Sequence, residues 1–395
     1  MALPATLVVK INLSGGASFG NPFILGTSQL GFAELASSVP VIVDVSSQTL
    51  NISTRRGRNL LQDNYESGSA TIKIVDPTGE FNPQNTSSPL FGLLQPLRKI
   101  QASATYNGVT YGLFGGYITE YRYTYPTGQE TGYCTFICYD AFRLMYNSNV
   151  TTVTGGTAGQ TTAQRVQSIL TMIAWPPAFT SIGTGAPTCV VDPGTTRTVL
   201  EAIQTAEFTE QGAFYIDENG VATFKGRQFV YDAQAASPTV FNQTGGISYA
   251  GITFALDDKT IVNKATVTRI GGTAQTYSDA TSIAAYFTRS ITATDMLMQS
   301  DANALALATA YVDSRKETSI RIETITLDLM TPSYSAGITA ALSLDFFNTV
   351  DITNEQPGGS TIQKKLQVQG IAHNITPNTW TTTIATQEPL LDVMY

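Results

Sequence analysis

At 395 residues the chain is long enough for two or three domains, each with a core of its own. Hydrophobic residues make up 42% and charged residues 13%, which excludes a disordered chain. A formal charge of −8 argues against binding a polyanion, because phosphates need clustered Lys and Arg.

Thr, Tyr, Phe, Gly and Val are abundant, so an all-β or α+β fold is expected. Residues 6–12 read as a strand, followed by a Gly/Ser/Phe/Pro-rich arm and an apolar stretch at 41–45. Residues 54–121 have the pattern of a small antiparallel β unit. It opens on Thr54-Arg55-Arg56-Gly57-Arg58, alternates through Ala70, Ile72 and Ile74, and turns at 76–83. A short apolar stretch (89–97) then leads to the paired segments 100–105 and 112–120, and the unit continues to Tyr139. Residues 154–159 read as a flexible connection. A helix follows from Thr161, with Gln164 completing a capping box and Val166, Ile169, Leu170 and Ile173 on one face. A second helix spans about 198–207 with the capping box Thr198/Glu201. The segments 213–216 and 221–224 then form a hairpin around Asn219-Gly220. Strands are expected at 247–254, 261–270, 319–329, 349–352, 365–371 and 380–386. A long helix at 301–316 places Asp301 in its first turn and Arg315 and Lys316 in its last. The expected organisation is β-rich α+β. Two barrel-like β domains, 1–149 and 236–395, are joined through a small α+β module at 150–235, an arrangement compatible with a distant duplication.

Few residues announce a chemistry. Cys134 and Cys138 share one face of an expected strand, and with Cys189 they read as buried structural thiols and not as metal ligands. The single histidine, His373, has no Gly-x-Ser-x-Gly or reactive Cys to serve, and reads as structural or surface. Glu207/Glu210 and Asp217/Glu218 fall at a helix end and a hairpin turn, where solvated carboxylates belong and not a glycosidase pair. Asp76, Thr78, Glu80 and Asn82 alternate like calcium-loop ligands but lack the bidentate Glu, so a turn is the better reading. Gly155, Gly156 and Gly159 lack the Lys-Ser/Thr of a phosphate loop. No cofactor or metal is expected, nor a signal peptide or a spanning helix, and synthesis in a reducing cytosol fits the cysteine usage. The one dense basic cluster is Arg55, Arg56 and Arg58. Its plain reading is a solvated turn with an Arg paired to Asp63 or Glu66; its sharper reading is a contact with an acidic neighbouring subunit.

Four segments, in order, resemble the central tail-hub (baseplate hub, minor tail) proteins of long-tailed bacteriophages. The first contains Arg56-Gly57-Arg58, then Ala70, Ile72, Ile74, Asp76, Gly79, Phe81 and Pro83, and then Leu113, Phe114, Gly116 and Ile118. The second contains Leu200, Glu207, Glu210-Gln211-Gly212, Tyr215-Ile216-Asp217, Gly220, Phe224 and Arg227. The third is Asn263 to Gly272, with Asp279, Ser282 and Ile283. The fourth contains Val368, His373, Trp380, Thr386, Glu388 and Pro389. The chain stops at Tyr395, where that family often continues into a fibre, peptidase or lysin region. The resemblance implies a non-enzymatic virion protein of the distal tail or baseplate, made in the host cytoplasm. It also implies a homotrimer whose two barrels per subunit alternate round a ring, so that a threefold tip meets a sixfold tube. The partners it implies are distal tail or tail-tube proteins, the tape measure protein, and spike, fibre or receptor-binding proteins, with DNA passing through without specific binding. The alternatives are a tail-tip cell-wall hydrolase and a receptor-binding module for host-surface glycans.

Overall fold

The computed structural model describes residues 3–14, 41–59, 64–125, 128, 131–359 and 361–388. The Gly/Ser/Phe/Pro-rich arm and Asp63 lie outside them. The first block contains β1 (Thr6–Asn12), β2 (Ile42–Asp44), β3 (Thr49–Asn59), β4 (Asn64–Tyr65), β5 (Ser69–Asp76), β6 (Arg98–Tyr106), β7 (Val109–Thr124) and β8 (Gly132–Tyr139). The short α1 (Phe142–Tyr146) and β9 (Asn149–Val150) lead out of it. The middle segment contains α2 (Thr162–Met172), β10 (Thr180–Ile182), β11 (Arg197–Thr198), α3 (Val199–Glu210), β12 (Ala213–Ile216), β13 (Ala222–Lys225) and α4 (Arg227–Asp232). The last block begins with β14 (Thr239–Asn242), β15 (Gly251–Ala255), β16 (Lys264–Arg269), β17 (Gln275–Ser278), α5 (Ala280–Tyr286), β18 (Ser290–Met296) and α6 (Asp301–Arg315). It closes with β19 (Arg321–Asp328), α7 (Ser335–Ser343), β20 (Thr349–Asn354), β21 (Ile362–Thr376) and β22 (Thr379–Gln387).

Local chemistry explains the elements read in advance. Both capping boxes form: Thr161 accepts from the Gln164 N–H and Thr198 from the Glu201 N–H, while each N3 side chain accepts back from the cap's N–H. Such a cap stabilises a helix by about 1 kcal/mol. Ser300 caps α6 in the same way through the Asn303 N–H. The Asp217–Gly220 turn closes the β12–β13 hairpin, with Asp217 accepting from the N–H groups of Asn219 and Val221 at 2.9 and 2.8 Å. The expected strand at 247–254 is confined to β15, because Ile247 is drawn into a turn with Val240 and Asn242. The helix α7 was not legible: Gly337 and Thr339 weaken its propensity. It packs through buried Ile338, Ala340, Ala341 and Leu342, with Tyr334 filling the space a side chain at Gly337 would need.

The fold is β-rich α+β, as expected. Its two β blocks are joined in one fourteen-stranded sheet ordered β15-β19-β22-β21-β3-β5-β8-β7-β6-β1-β2, with β14, β20 and β4 off that path. The join is the antiparallel pairing of β21 with β3, from Gly370 opposite Gly57 to Ile375 opposite Ile52. A Cβ on Gly57 would stand 2.9 Å from the Gly370 Cα, so the two backbones meet with no side chain between them. The hairpin of the middle segment rests on β7 through a second close approach. There a Cβ on Gly115 would lie 2.5 Å from the Asn219 carbonyl carbon. One core runs through all three segments and includes Ile72, Phe136, Leu170, Phe214, Ile325 and Trp380. A smaller core lies between the β17-β16-β18 sheet and α6, built on Val267, Met298, Leu307 and Val312. Phe208 of α3 stacks on Tyr311 of α6 at 5.4 Å and ties this unit to the middle segment.

Candidate functional site: the Arg55, Arg56 and Arg58 segment

The basic cluster lies in β3 and not in a turn. Strand alternation therefore sends its side chains to opposite faces. Ile52, Thr54 and Arg56 point inward, while Asn51, Ser53 and Arg55 point outward. Arg55 is exposed and pairs with Glu66 at 3.5 Å, one of the two carboxylates expected. An exposed pair of this kind contributes at most about 1 kcal/mol. Arg58 is half-buried, with its guanidinium 6.0 Å from the Tyr65 ring.

Arg56 is buried, and its surroundings come from the whole chain. Its Nη2 donates to Asp345, in the connection from α7 to β20, at 3.3 Å. The same nitrogen stands 3.6 Å from Glu218, at the tip of the middle hairpin. The guanidinium carbon lies 5.0 Å from the Phe346 ring centroid. One cation therefore holds together a strand of the first block, the middle segment and the last block. Burial raises the Glu218 carboxyl and Asp345 raises it further, while Arg56 pulls it down. Beneath the ion pairs, Tyr65, Tyr215 and Phe346 form an aromatic cluster with centroids 5.0 to 5.3 Å apart. The Tyr65 hydroxyl donates to Gln369 at 2.7 Å. A cleft of about 240 Å³ opens here, lined by Arg56, Tyr111, Glu218, Asp345 and His373 among others.

The other sequence candidates serve the architecture. His373 is buried in β21, where its Nδ1 lies 2.9 Å from the Thr382 hydroxyl and its ring makes a T-shaped contact with Trp380 at 6.4 Å between centroids. Burial, reinforced by the Arg56 charge, lowers its pKa to about 3, so the imidazole is neutral. Cys134, Cys138 and Cys189 are buried and unpaired, and burial pushes the Cys134 thiol up to about 12. Asp76 clasps its own turn, accepting from the N–H groups of Glu80 and Phe81 at 2.8 and 3.0 Å. Residues 154–159 form a hydrogen-bonded turn: Gly156 N–H donates to Val153 and Gly159 N–H to Cys189, each at 2.9 Å. The reading of Glu207 and Glu210 as solvated is corrected, because both are buried. Glu207 accepts from the Phe214 N–H at 2.9 Å, and Glu210 from the Arg227 N–H at 2.9 Å and the Thr162 hydroxyl. They satisfy backbone donors where a strand and a helix begin, a use that spacing alone does not reveal. No group of His, Cys, Asp and Glu among the described residues is arranged to hold a metal ion.

No protein-family model matches the chain, and no curated protein matches its sequence. Solved structures do match in fold. The tail protein from Neisseria meningitidis MC58 superimposes with a TM-score of 0.59 at 11% identity over 97% of each chain. The 43 kDa tail protein of prophage MuSo2 from Shewanella oneidensis gives 0.56 at 12% identity, over 88% of this chain and 96% of that one. Prophage tail protein gp18 from Listeria monocytogenes EGD-e gives 0.51 at 10% identity, over 96% and 94%. The chain has the fold of these tail proteins, in line with the resemblance carried by its sequence.

Proposed function

We propose that this chain is a structural hub at the distal end of a phage tail. In this reading it forms a homotrimeric ring that joins a sixfold tail tube to a threefold tip, anchors spike or receptor-binding proteins and leaves a channel for DNA ejection. The observation that carries the reading is the likeness of fold to a tail protein over 97% of both chains. The ordered series of four sequence segments supports it. The role is non-catalytic, in keeping with a histidine held neutral among packed side chains. The division at 149 and 235 belongs to this proposal, as does the use of the basic cluster at a subunit contact. Arg55 offers its guanidinium outward to an acidic neighbour, Arg58 flanks it, and Arg56 fixes the strand that presents them. An acidic chain also suits a channel wall, since like charge keeps DNA from adhering. Native mass spectrometry of the purified protein and reconstruction of the virion test the reading. A trimer with more than about 2,000 Å² buried per neighbouring pair is expected. A stable monomer at high concentration, or degradation of host peptidoglycan by the pure protein, overturns it.

A further inference from the structure

In the first block β3, β5, β8 and β7 lie side by side, and the ladder sets their outward residues in rows. Arg55 shares a row with Tyr139 across β5. Two residues along, Ile137 lies beside Glu120, and two further on Lys73 and Arg122 flank Thr135. The remaining positions in these rows are Ser, Thr or Asn, short enough for another surface to approach closely. The alternate residues, among them Ile72 and Phe136, turn to the core. No described α-helix or second sheet makes more than a passing contact with β5 or β8, so this face is uncovered.

The face is basic, in a chain whose formal charge is −8. Its cations are Arg55, Lys73, Arg122 and Arg143, the last reaching back from α1. Among the described residues two carboxylates answer them, Glu66 at 3.5 Å from Arg55 and Glu120 at 2.7 Å from Arg122. Lys73 and Arg143 lie over rings instead. The Lys73 Nζ is 4.5 Å from the Tyr133 centroid, and the Arg143 guanidinium carbon is 5.7 Å from that of Tyr139. A cation held over a tyrosine keeps its charge and gives up much of its side-chain freedom before any partner arrives. Neither rings nor cations serve the core, which these strands fill from their other face. Arg and Tyr around a half-buried Ile137 have the make-up of a protein contact.

Size and sign select the occupant. Strands about 4.8 Å apart, with outward residues about 6.7 Å apart along each, make four strands and three rows roughly 400 Å². That is about half of what one partner gives to a standard interface, and too small and too charged for the main contact between identical subunits. Phosphate backbones bind through longer basic tracts than this chain has. We propose that this face docks an acidic segment of another protein, whose carboxylates meet Lys73, Arg143 and Arg122 while an apolar side chain rests on Ile137. The proposal deepens the reading of Arg55 at an acidic contact, and rests on it for Arg55 alone.

The test uses the full chain with labelled isoleucine methyls, titrated with a heptapeptide that alternates Asp and Ser around a central Phe. The Ile137 methyl should shift, and that of exposed Ile320, at the far side of the sheet, should not. Lys73→Glu with Arg143→Glu should weaken binding at least about tenfold with the thermal midpoint kept. Lys259→Glu with Lys365→Glu, the same change of charge elsewhere, should leave it unaltered. If the first pair lowers the midpoint, Lys73→Gln with Arg143→Gln takes its place and should weaken binding as well. An unmoved Ile137, or equal binding by both pairs of variants, overturns the proposal. So does equal binding of a peptide with Lys in place of Asp, or tighter binding of a thymidine oligomer. If Arg55→Ala weakens the peptide while the Lys73 and Arg143 variants do not, the Arg55 contact stands and this face falls.

Discussion

Replacing Arg56 with Ala removes a cation that touches all three segments of the chain, and the expected loss can be built from its contacts. The hydrogen bond to Asp345 at 3.3 Å involves two charged groups, and such bonds contribute about 1.5–3 kcal/mol. The cation–π contact of the guanidinium with Phe346, 5.0 Å from the ring centroid, adds about 0.5–1 kcal/mol. The Glu218 carboxylate, left near Asp345 without its counter-charge, adds a further penalty. That penalty is softened because the two side chains keep 25% and 34% of their exposure. Together these give a loss of about 3 kcal/mol, against under about 1 kcal/mol for Arg55→Ala, whose pair with Glu66 is in solvent. Urea unfolding of both variants measures the difference, and a double-mutant cycle of Arg56→Ala with Asp345→Asn isolates the pair. Arg56→Lys should recover only part of the loss, since a compact ammonium cannot meet Asp345, Glu218 and the Phe346 ring at once as the broad guanidinium does. Equal and small losses for Arg55→Ala and Arg56→Ala would refute the idea that Arg56 ties the segments together.

Other outcomes follow from the same structure. Burial raises the Asp140 carboxyl to about 7 although Gly68, Ser67 and Phe142 all donate to it. A raised carboxyl favours the folded state below the unfolded pKa, and that contribution is lost as pH rises through 7. Asp140→Asn should therefore flatten the pH dependence of the urea midpoint between about pH 4 and 7, relative to the unsubstituted protein. Gly115→Val puts a side chain where Asn219 sits 2.5 Å from the would-be Cβ, and should cost about 1–3 kcal/mol and expose residues 217–220 to proteolysis. The His373 imidazole signals should not move between pH 5 and 8 in NMR titration, because its pKa is near 3. Cys134 should resist a thiol reagent until the protein unfolds, as its pKa is about 12.

Much of the fold was legible where local chemistry decides the outcome. The capping boxes at Thr161 and Thr198, the Asn219-Gly220 hairpin and the Cys134/Phe136/Cys138 face are all present, because each depends on residues within a few positions. What could not be read was set by distant partners. Nothing near Gly57 announces that Gly370 will lie against it, and nothing near Arg56 names Asp345 or Glu218. The Arg segment looks like a turn because three arginines in five residues suggest solvent. Its alternation places one of them inside only once strands are found on both sides of it. Glu207 and Glu210 misled for the same reason, since a carboxylate that accepts buried N–H groups looks, in one dimension, like one in water. Helix α7 relies on packing that its own residues do not advertise.

The pairing of β3 with β21 also sets a timetable for synthesis. Gly57 and its partner Gly370 lie 370 − 57 = 313 residues apart in sequence, so β3 is made long before the strand that completes it. At roughly 5–20 residues per second the ribosome needs about 15–60 s to bridge that gap, during which β3 offers one edge of a half-finished sheet. The β5-β8-β7-β6-β1 part of the sheet can form from residues 6–139 alone, whereas its junction with the last block must wait for β21. Fragments that end before residue 362 would then be prone to aggregate, and the nascent chain is a natural client for chaperones that shield open strand edges.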